Sequence, residues 1–511
     1  MNSGWKHPPS MDSTERAGPH SMGRHQREST RKALRKALPD LARCGQLLLS
    51  DEELAVYECD GLAAHRQAPI AVALPATTQQ VQSVVIACGQ LAVPIVPWGA
   101  GTGLSGGALA VADGLVLSLA RMNRILHIDY DHRCVTVEPG VTNLAVTHAV
   151  AGEGYYYAPD PSSQIACTVG GNVAENSGGV HCLKYGTTTN NLLGLQLVLS
   201  DGEIVELGGP ALERSGFDLL ALFTGSEGLL GIITQATLRI LRTPESSQAM
   251  MAAFDSVEAA GGAVASVIGS GIVPAGMEIM DRLSIEAVED FLGCGYPRGV
   301  AALLLVEIDG PSSEVAAQIE AVEQCLRDAG ATQLTHATTT EARQKLWAGR
   351  KAAFPAMGRV SPDYYCMDGT IPRGQLPAVL GRIEELSQIF GLQVANVFHA
   401  GDGNLHPLVL YDGNKSGDLE KAEELGAEIL KLCVAVGGVL SGEHGIGVEK
   451  RDLMPCMFTD DDLDLQEEIR DTFDPDHLLN PGKVYPQLRL CAEGRTHVHG
   501  GQRPFPELDR F

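Results

Sequence analysis

Residues 97–107 read PWGAGTGLSGG, and this stretch decides how the first half of the chain folds. The apolar run VPIVP (93–97) enters it as a strand, and Gly99, Gly101, Gly103, Gly106 and Gly107 follow. Glycine has no Cβ, so a ligand can lie close against such a backbone. Consecutive N–H groups there can converge on the oxygens of a pyrophosphate. The stretch is not a P-loop, because no Lys-Ser/Thr follows its last glycine. It also lacks the spacing and the downstream acidic residue of the Rossmann fingerprint. A single glycine loop is often only a turn, so the surroundings have to decide.

Upstream, PIAVALP (69–75) is a short strand and TTQQVQSVVIAC (77–88) a threonine-capped helix, which makes a β-α-β unit with the strand at 93–97. Downstream, LVLSL (115–119), RILHID (124–129) and CVTVE (134–138) are strands. LQLVLSDGEIVEL (195–207) is a hairpin around Asp201-Gly202, and GIITQATLRI (231–240) is a further strand. Two more glycine-rich stretches lie among them: PDPSSQIACTVGGNVAENSGGV (159–180) and FTGSEGLLGIIT (223–234). Gly170-Gly171-Asn172 and Asn176-Ser177-Gly178-Gly179 offer N–H groups and amides with no net charge. That chemistry suits the ribityl chain, pyrophosphate and ring edge of a flavin. Three such loops within residues 97–234 are more than turns alone require.

A different pattern stands in the second half. HAGDGNLH (399–406) lies between two strands, VANVF (394–398) and PLVLY (407–411). A symmetric turn pairs Ala400 with Leu405 and His399 with His406, whose Cβ atoms would then be roughly 5 Å apart on one face. Two imidazoles at that separation can hold one metal ion. SGEHGIG (441–447) supplies Glu443 as a third ligand, with His444 beside it. Two histidines and a carboxylate leave coordination positions open for a substrate. One histidine near a strand end is ordinarily structural; the pairing and the Glu-His dipeptide among glycines change that reading.

The rest frames these motifs. A second compositional region opens at Pro244, with AMMAAF (249–254) and AALLLVEI (301–308) as strands and helices from Ser256, over 314–327 and over 417–436. Helices alternating with antiparallel-type strands predict a ferredoxin-like layer. Residues 1–30 read as a flexible extension, with Met11 and Met22 as alternative starts. Residues 31–65 carry short helices in RKALRKALPDL and DEELAVY, and 487–511 form a polar tail.

At 511 residues the chain needs two or three domains. Its net charge of −25 argues against nucleic acid and against an electrostatic hold on an anionic membrane. A bound cation could still receive a small anion. Its 12 cysteines include no C-x-x-C pair, which excludes zinc ribbons and compact iron–sulfur motifs. Apolar-flanked cysteines such as Cys88, Cys134 and Cys433 suit a reducing, cytoplasmic setting. There is no membrane-length apolar run and no secretory h-region.

With these motifs together, residues 68–485 resemble the FAD-binding flavoproteins of the vanillyl-alcohol oxidase and p-cresol methylhydroxylase type. The resemblance is closest to the branch of the glycolate oxidase D subunits, with D-lactate and D-2-hydroxyglutarate dehydrogenases as relatives. It is carried by PWGAGTGLSGG from Pro97, GGNVAENSGG from Gly170, FTGSEG from Phe223, HAGDGNLH from His399, GEHGIG from Gly442 and NPGK from Asn480. It implies an α+β chain: an FAD-binding domain of two α/β subdomains over 31–245, then a ferredoxin-like substrate or cap domain over 246–486.

The implied FAD contacts are Pro97, Gly99, Gly101, Thr102, Gly103, Leu104, Ser105 and Gly106 in the first loop. In the second they are Pro159, Asp160, Ser163, Thr168, Gly170, Gly171, Asn172, Asn176, Ser177, Gly178 and Gly179. Glu227, Gly231, Ile232, Asn404, Glu443 and Asn480 complete them. Covalent members of the family attach FAD through a histidine in the first loop. Leu104 and Ser105 stand here instead, which implies non-covalent FAD.

The implied reaction is oxidation of a small 2-hydroxy acid, glycolate or D-lactate, by metal-assisted hydride transfer to flavin. His399, His406 and Glu443 hold the divalent metal, zinc by ligand type with manganese and iron as alternatives. His444 is the base and Arg350 the carboxylate clamp. Relatives acting on 2-hydroxyglutarate add a lysine where Cys366 stands, so a monocarboxylate fits better. The plainer alternatives are a surface ion pair for Arg350, an Asn-Pro turn for Asn480 and a fourth metal ligand for His444. The implied partners are a second flavin-binding subunit and an iron–sulfur subunit, through which the chain would reach the inner face of the membrane. Competing functions are a stand-alone D-lactate dehydrogenase, a D-2-hydroxyglutarate dehydrogenase, a non-catalytic flavin-binding subunit, and a metal-dependent hydrolase that leaves the glycine loops unexplained.

Overall fold

The computed structural model describes residues 23–211 and 216–486. The C-terminal tail and most of the N-terminal extension lie outside the described residues. Within them, the first helix already starts at Arg24, inside the stretch expected to be flexible, and runs to Ala37. The polar composition conceals its anchors. Arg27 donates to the carbonyls of Ala68 and Ala112, Arg31 donates to that of Ile70, and Leu34 is fully buried.

The first sheet takes the order Leu47–Leu48, Ala71–Ala73, Leu115–Ser118, Ile95–Trp98; its last three strands are parallel and the first is antiparallel to its neighbour. The helix Thr78–Leu91 crosses over it, and the Thr77 side chain accepts from Gln80 N–H to cap the helix. The second sheet is antiparallel, in the order Ile125–Asp129, Cys134–Val137, Ile232–Arg239, Leu192–Val198, Ile204–Gly208. Its last two strands are the hairpin expected around Asp201-Gly202.

The third sheet has seven strands. Ser246–Phe254, Gly276–Asp281, Ala302–Gly310 and Gln333–Ala337 take the spatial order fourth, first, third, second, which is the ferredoxin-like arrangement, with an added helix, Arg282–Leu292, between the second and third strands. Ala302–Gly310 is buried along nearly its whole length because both of its faces are covered. Leu304, Val306 and Ile308 pack with the helices Val257–Gly269 and Ser312–Asp328. Leu303 and Leu305 pack with the helices Arg282–Leu292 and Ala353–Met357. That explains its unbroken apolar run.

Val394–His399, Pro407–Tyr411 and Asp363–Cys366 extend this sheet. The hairpin register differs from the symmetric expectation. Val394 pairs with Val409 and Asn396 with Pro407, so His399 meets Asn404 rather than His406, and Ala400 does not face Leu405. The turn closes one residue earlier on each side, over Ala400 to Gly403, where Gly403 takes a φ of +82°. The slip is two residues in relative register, an even number, so both histidines stay on one face as diagonal neighbours.

After the helix Asp460–Phe473 the chain returns to the first sheet. Ile95 N–H donates to Leu478 O and Asn480 N–H to Ile95 O, while the Asp474 carboxylate accepts from Leu478 and Leu479 N–H. A segment expected to belong wholly to the second domain thus finishes an edge of the first. Among the described residues, no helix is long and apolar enough to cross a membrane.

Candidate active site

The register above brings two imidazoles together. The rings of His399 and His406 lie 5.1 Å apart, centre to centre. Glu443 Oε1 sits 3.4 Å from His399 Nε2 and 3.2 Å from His406 Nε2. One ligand atom from each of the three falls within 4.8 Å of the others, and all three residues are deeply enclosed. His399 Nδ1 donates to Glu278 Oε1 at 2.6 Å, which turns Nε2 toward Glu443. His406 Nε2 is shut away from solvent with no hydrogen-bond partner. Burial disfavours the Glu443 carboxylate, but the two imidazoles outweigh this and hold its pKa well below the ordinary range. Two imidazole nitrogens, one orphaned, converging on a carboxylate fit a divalent cation.

Asp368 organises the loop that carries Glu443. Its carboxylate accepts from Ser441 Oγ at 2.6 Å and from the N–H groups of Gly442, Glu443 and His444 at 3.2, 3.2 and 2.9 Å. The buried Lys450 ammonium reaches the same carboxylate at 3.2 Å. Burial opposes the charge on Asp368, yet Lys450, His444 and His406 keep it ionised well below the ordinary range. Glycines make the approach feasible: a Cβ on Gly178 would come 2.6 Å from Glu443 Oε2, and one on Gly442 would come 2.5 Å from Asn404 Cγ.

His444 stacks on His406, ring centres 4.9 Å apart and planes 8° from parallel. Its carbonyl accepts from Ser105 Oγ at 2.8 Å, so the first glycine loop fixes the backbone of the residue next to Glu443. Burial is the main cause that pushes the His444 imidazolium down, to about 4. It is therefore a neutral acceptor at physiological pH.

A cavity of about 590 Å³ joins the glycine loops to His406, Glu443 and His444. Lys351, Phe354 and Pro355 also line it, with the Phe354 ring 6.5 Å from that of His406. A Cβ on Gly99 would strike Thr168 Oγ1 at 2.6 Å, so the first two loops touch there. A Cβ on Gly103 would meet nothing within 4 Å, because that backbone borders open space. The chamber is walled largely by glycine backbone and uncharged side chains, with Glu175, Glu227, Lys351 and Glu443 as its charged Lys, Asp or Glu lining, and such a wall fits a dinucleotide.

A family model described as the FAD binding domain matches residues 69–208, and one described as the FAD linked oxidases, C-terminal domain, matches residues 243–484. The chain is 54% identical to the glycolate oxidase subunit GlcD of Escherichia coli (strain K12) over 486 residues, covering 95% of this chain and 97% of that one. It is 36% identical to the glycolate oxidase subunit GlcD of Bacillus subtilis, covering 86% and 94%, and 34% identical to a D-lactate dehydrogenase of Archaeoglobus fulgidus, covering 82% and 91%. The chain belongs to the FAD-linked oxidase family.

Among solved structures, p-cresol methylhydroxylase with substrate bound shares the fold of this oxidase at a TM-score of 0.75 and 17% identity, covering 91% of this chain and 98% of that one. The 4-ethylphenol oxidase from Gulosibacter chungangensis does so at a TM-score of 0.72 and 18% identity, covering 89% and 98%. The chain is an FAD-dependent oxidoreductase.

Within this FAD-linked oxidase the expected contacts divide. Pro97, Gly99, Gly101, Thr102, Gly103, Leu104, Ser163, Thr168, Gly170, Gly171, Asn172, Ser177, Glu227, Gly231, Ile232, Glu443 and Asn480 line the cavity, as do His406 and His444. The others are not among its lining. Ser105 and Gly106 pack against the segment after His444, where Ser105 O accepts from Val448 and Glu449 N–H. Pro159 O accepts from Asn143 Nδ2, and Asp160 holds His181 through its ring and backbone nitrogens. Asn176 ends the helix Val169–Glu175 in the left-handed region. Gly178 and Gly179 give room to Glu443 and Asp160, and Asn404 bridges to Thr370 and His399.

Glu227 and Asn480 also act as ties. The Glu227 carboxylate accepts from Ile446 and Gly447 N–H, and Asn480 Nδ2 donates to Gly107 O and Glu227 O. Asn480 is therefore more than the turn residue of an Asn-Pro step.

Arg350 departs from its expected place. Its side chain is neither on the surface nor lining the cavity; it is 3% exposed, and Nε donates to Glu278 Oε2 at 2.7 Å, behind His399. Cys366 is likewise buried in the core, its Sγ directed at Met367 O. Glu278 and Asp368 were missed by the sequence reading. A glutamate inside the apolar strand Gly276–Asp281, and an aspartate two residues after Asp363–Cys366, were the signals, because a buried carboxylate requires partners.

Proposed function

We propose that this FAD-linked oxidase oxidises a small 2-hydroxy acid, glycolate first and D-lactate second, to the corresponding 2-oxo acid. The observation that carries the reading is the neutral His444 imidazole stacked on His406, at the end of the glycine-walled cavity where Glu443 also reaches. The degree of identity to the glycolate oxidase subunit supports the substrate class.

His444 accepts the hydroxyl proton of the substrate. His399, His406 and Glu443 would hold a divalent cation, zinc by ligand type, which supplies a Lewis acid for the substrate oxygens. FAD, held without a covalent bond because its loop carries Leu104 and Ser105, supplies the two-electron sink for the α-carbon hydrogen. Glu278 keeps His399 in the tautomer that presents Nε2 inward, and Arg350 fixes Glu278; Arg350 is thus a positioning residue here. Lys351 is the cationic side chain among the residues lining the cavity and faces an anionic substrate best. No second Lys or Arg stands among the described residues lining the cavity, which favours a monocarboxylate over 2-hydroxyglutarate.

Residues 31–245 are assigned to FAD binding and 246–486 to the substrate cap, with 478–480 returning to the first sheet. Association with a second flavin-binding subunit and an iron–sulfur subunit, in the cytoplasm and at the membrane through those partners, belongs to the same proposal; co-purification tests it. The substrate test is anaerobic mixing with glycolate, D-lactate, L-lactate and D-2-hydroxyglutarate, with and without a chelator. Glycolate and D-lactate should bleach the flavin, and chelation should stop them. Bleaching by 2-hydroxyglutarate alone, or none by any acid, contradicts the proposal.

A further inference from the structure

A second cavity, of about 410 Å³, adjoins the first. The two share Glu175, Ser226, Glu227 and Glu443, so one layer of residues separates them. Asn176, Thr224 and Ser441 add polar groups to the second cavity beside that layer, and apolar side chains such as Leu230, Met454 and Met457 join them. Ile469, 36% exposed on the helix Asp460–Phe473, belongs to the same lining, so the cavity reaches the surface there.

The Glu175 carboxyl group spans the shared layer. Gly107 lines the first cavity and not the second, and a Cβ on it would lie 2.9 Å from Glu175 Oε1. Gly445 lines the second and not the first, and a Cβ on it would overlap Glu175 Oε2. The Glu227 carboxylate flanks the same two glycines, with Oε1 2.9 Å from the Gly445 position and Oε2 3.6 Å from the Gly107 position. The two carboxyl groups therefore lie side by side, but only one is provided for. Glu227 accepts from Ile446 and Gly447 N–H, which favours its anion. Glu175 Oε2 is shut away from solvent with no hydrogen-bond partner. Burial, the Glu227 charge and the more distant Asp60 and Asp368 push the Glu175 carboxyl well above the ordinary range, against the pull of Lys450. Two neighbouring carboxyl groups with one set of donors fit a pair in which Glu175 carries the proton.

Oxidation of a hydroxy acid frees one hydroxyl proton for each hydride that leaves the α-carbon. That proton is taken up in the first cavity, where substrate and cofactor lie, and it must reach solvent before the next turnover. We propose that Glu175 carries it from the first cavity into the second. The inference rests on the hydroxy-acid oxidation proposed above. Glu175 takes the incoming proton on the oxygen beside Gly107 and gives its own to water on the Gly445 side. The last torsion of a glutamate side chain is broad and two-fold, so a half-turn exchanges the oxygens and resets the group. One proton enters and one leaves, Glu175 ends as it began, and nothing is oxidised or reduced in the step.

The test uses the FAD-loaded full chain, mixed anaerobically with glycolate in weak buffer containing a pH-indicator dye. In the wild type the dye should respond as fast as the flavin bleaches. Glu175→Gln keeps the shape but cannot take up a proton, and its dye response should lag bleaching by about tenfold or more. Glu175→Asp keeps the acid and should recover much of the pace. Infrared spectra of the oxidised protein should show a protonated carboxyl band that Glu175→Gln lacks. If Glu175→Gln loses its flavin, Met457→Trp fills the second cavity and should delay the dye in the same way. Dye response that keeps pace with bleaching in Glu175→Gln, or in Met457→Trp where that variant replaces it, overturns the proposal, as does the absence of the carboxyl band from the wild type. Failure of glycolate to bleach the wild-type flavin would instead sink the substrate assignment, while the carboxyl band still decides whether Glu175 has a proton to pass on.

Discussion

His444 concentrates the chemistry at the residue scale. An imidazole ordinarily titrates near 6.5, but burial pushes this one to about 4. The neutral, proton-accepting form therefore persists through pH 5 to 6.5, where an exposed histidine would be losing it, and a bound cation would push in the same direction. The acid limb of kcat/KM should accordingly fall near pH 4 to 5, measured with glycolate and an artificial acceptor; a limb at 6.5 would place the base elsewhere. His444→Ala should lower kcat by about 10²–10⁴ with flavin content unchanged. Glu278→Gln keeps the shape but removes the acceptor charge behind His399, and should weaken metal affinity by about 10–100-fold. Arg350→Ala leaves the Glu278 carboxylate, 0% exposed, without its cation. That should cost about 3–5 kcal/mol of stability by denaturant unfolding, a loss a surface ion pair would not show.

Elements deliver these residues, and here the sequence was legible in part. Both strands of the 394–411 hairpin were readable from their apolar runs, and so was the shared face of His399 and His406. The register was not, because Ala400 to Gly403 can close in more than one way and only the formed sheet selects the His399–Asn404 pairing. Arg350 was recognised but misplaced: its helix Thr340–Lys351 was not read from the sequence, and the direction of its side chain depends on Glu278, a strand residue about seventy positions earlier. Gly178 shows how narrow the tolerance is. Gly178→Ala puts a methyl 2.6 Å from Glu443 Oε2 and should lower metal content while the flavin stays bound, both read on one purified sample.

Across the whole molecule the site exists because three sheets meet. Ser105 and Glu227 of the first domain hold the backbone of the loop after Glu443, and Asn480 clasps two glycine loops from the far end of the chain. The domain types and the three glycine loops could be read from local motifs. These ties could not, since they join residues more than 200 positions apart. Truncation before Asp474 removes the segment that finishes the Ile95–Trp98 edge, and should reduce FAD retention after gel filtration even if the third sheet remains folded.

The convergence of His399, His406 and Glu443 on one cation beside the flavin is most directly tested by measuring metal and flavin together in the wild-type chain and in His406→Ala. One divalent metal per flavin in the wild type, and loss of metal with full flavin in the variant, is the predicted result. Equal metal content in both proteins, or a metal-free wild type that oxidises glycolate at full rate, would contradict it.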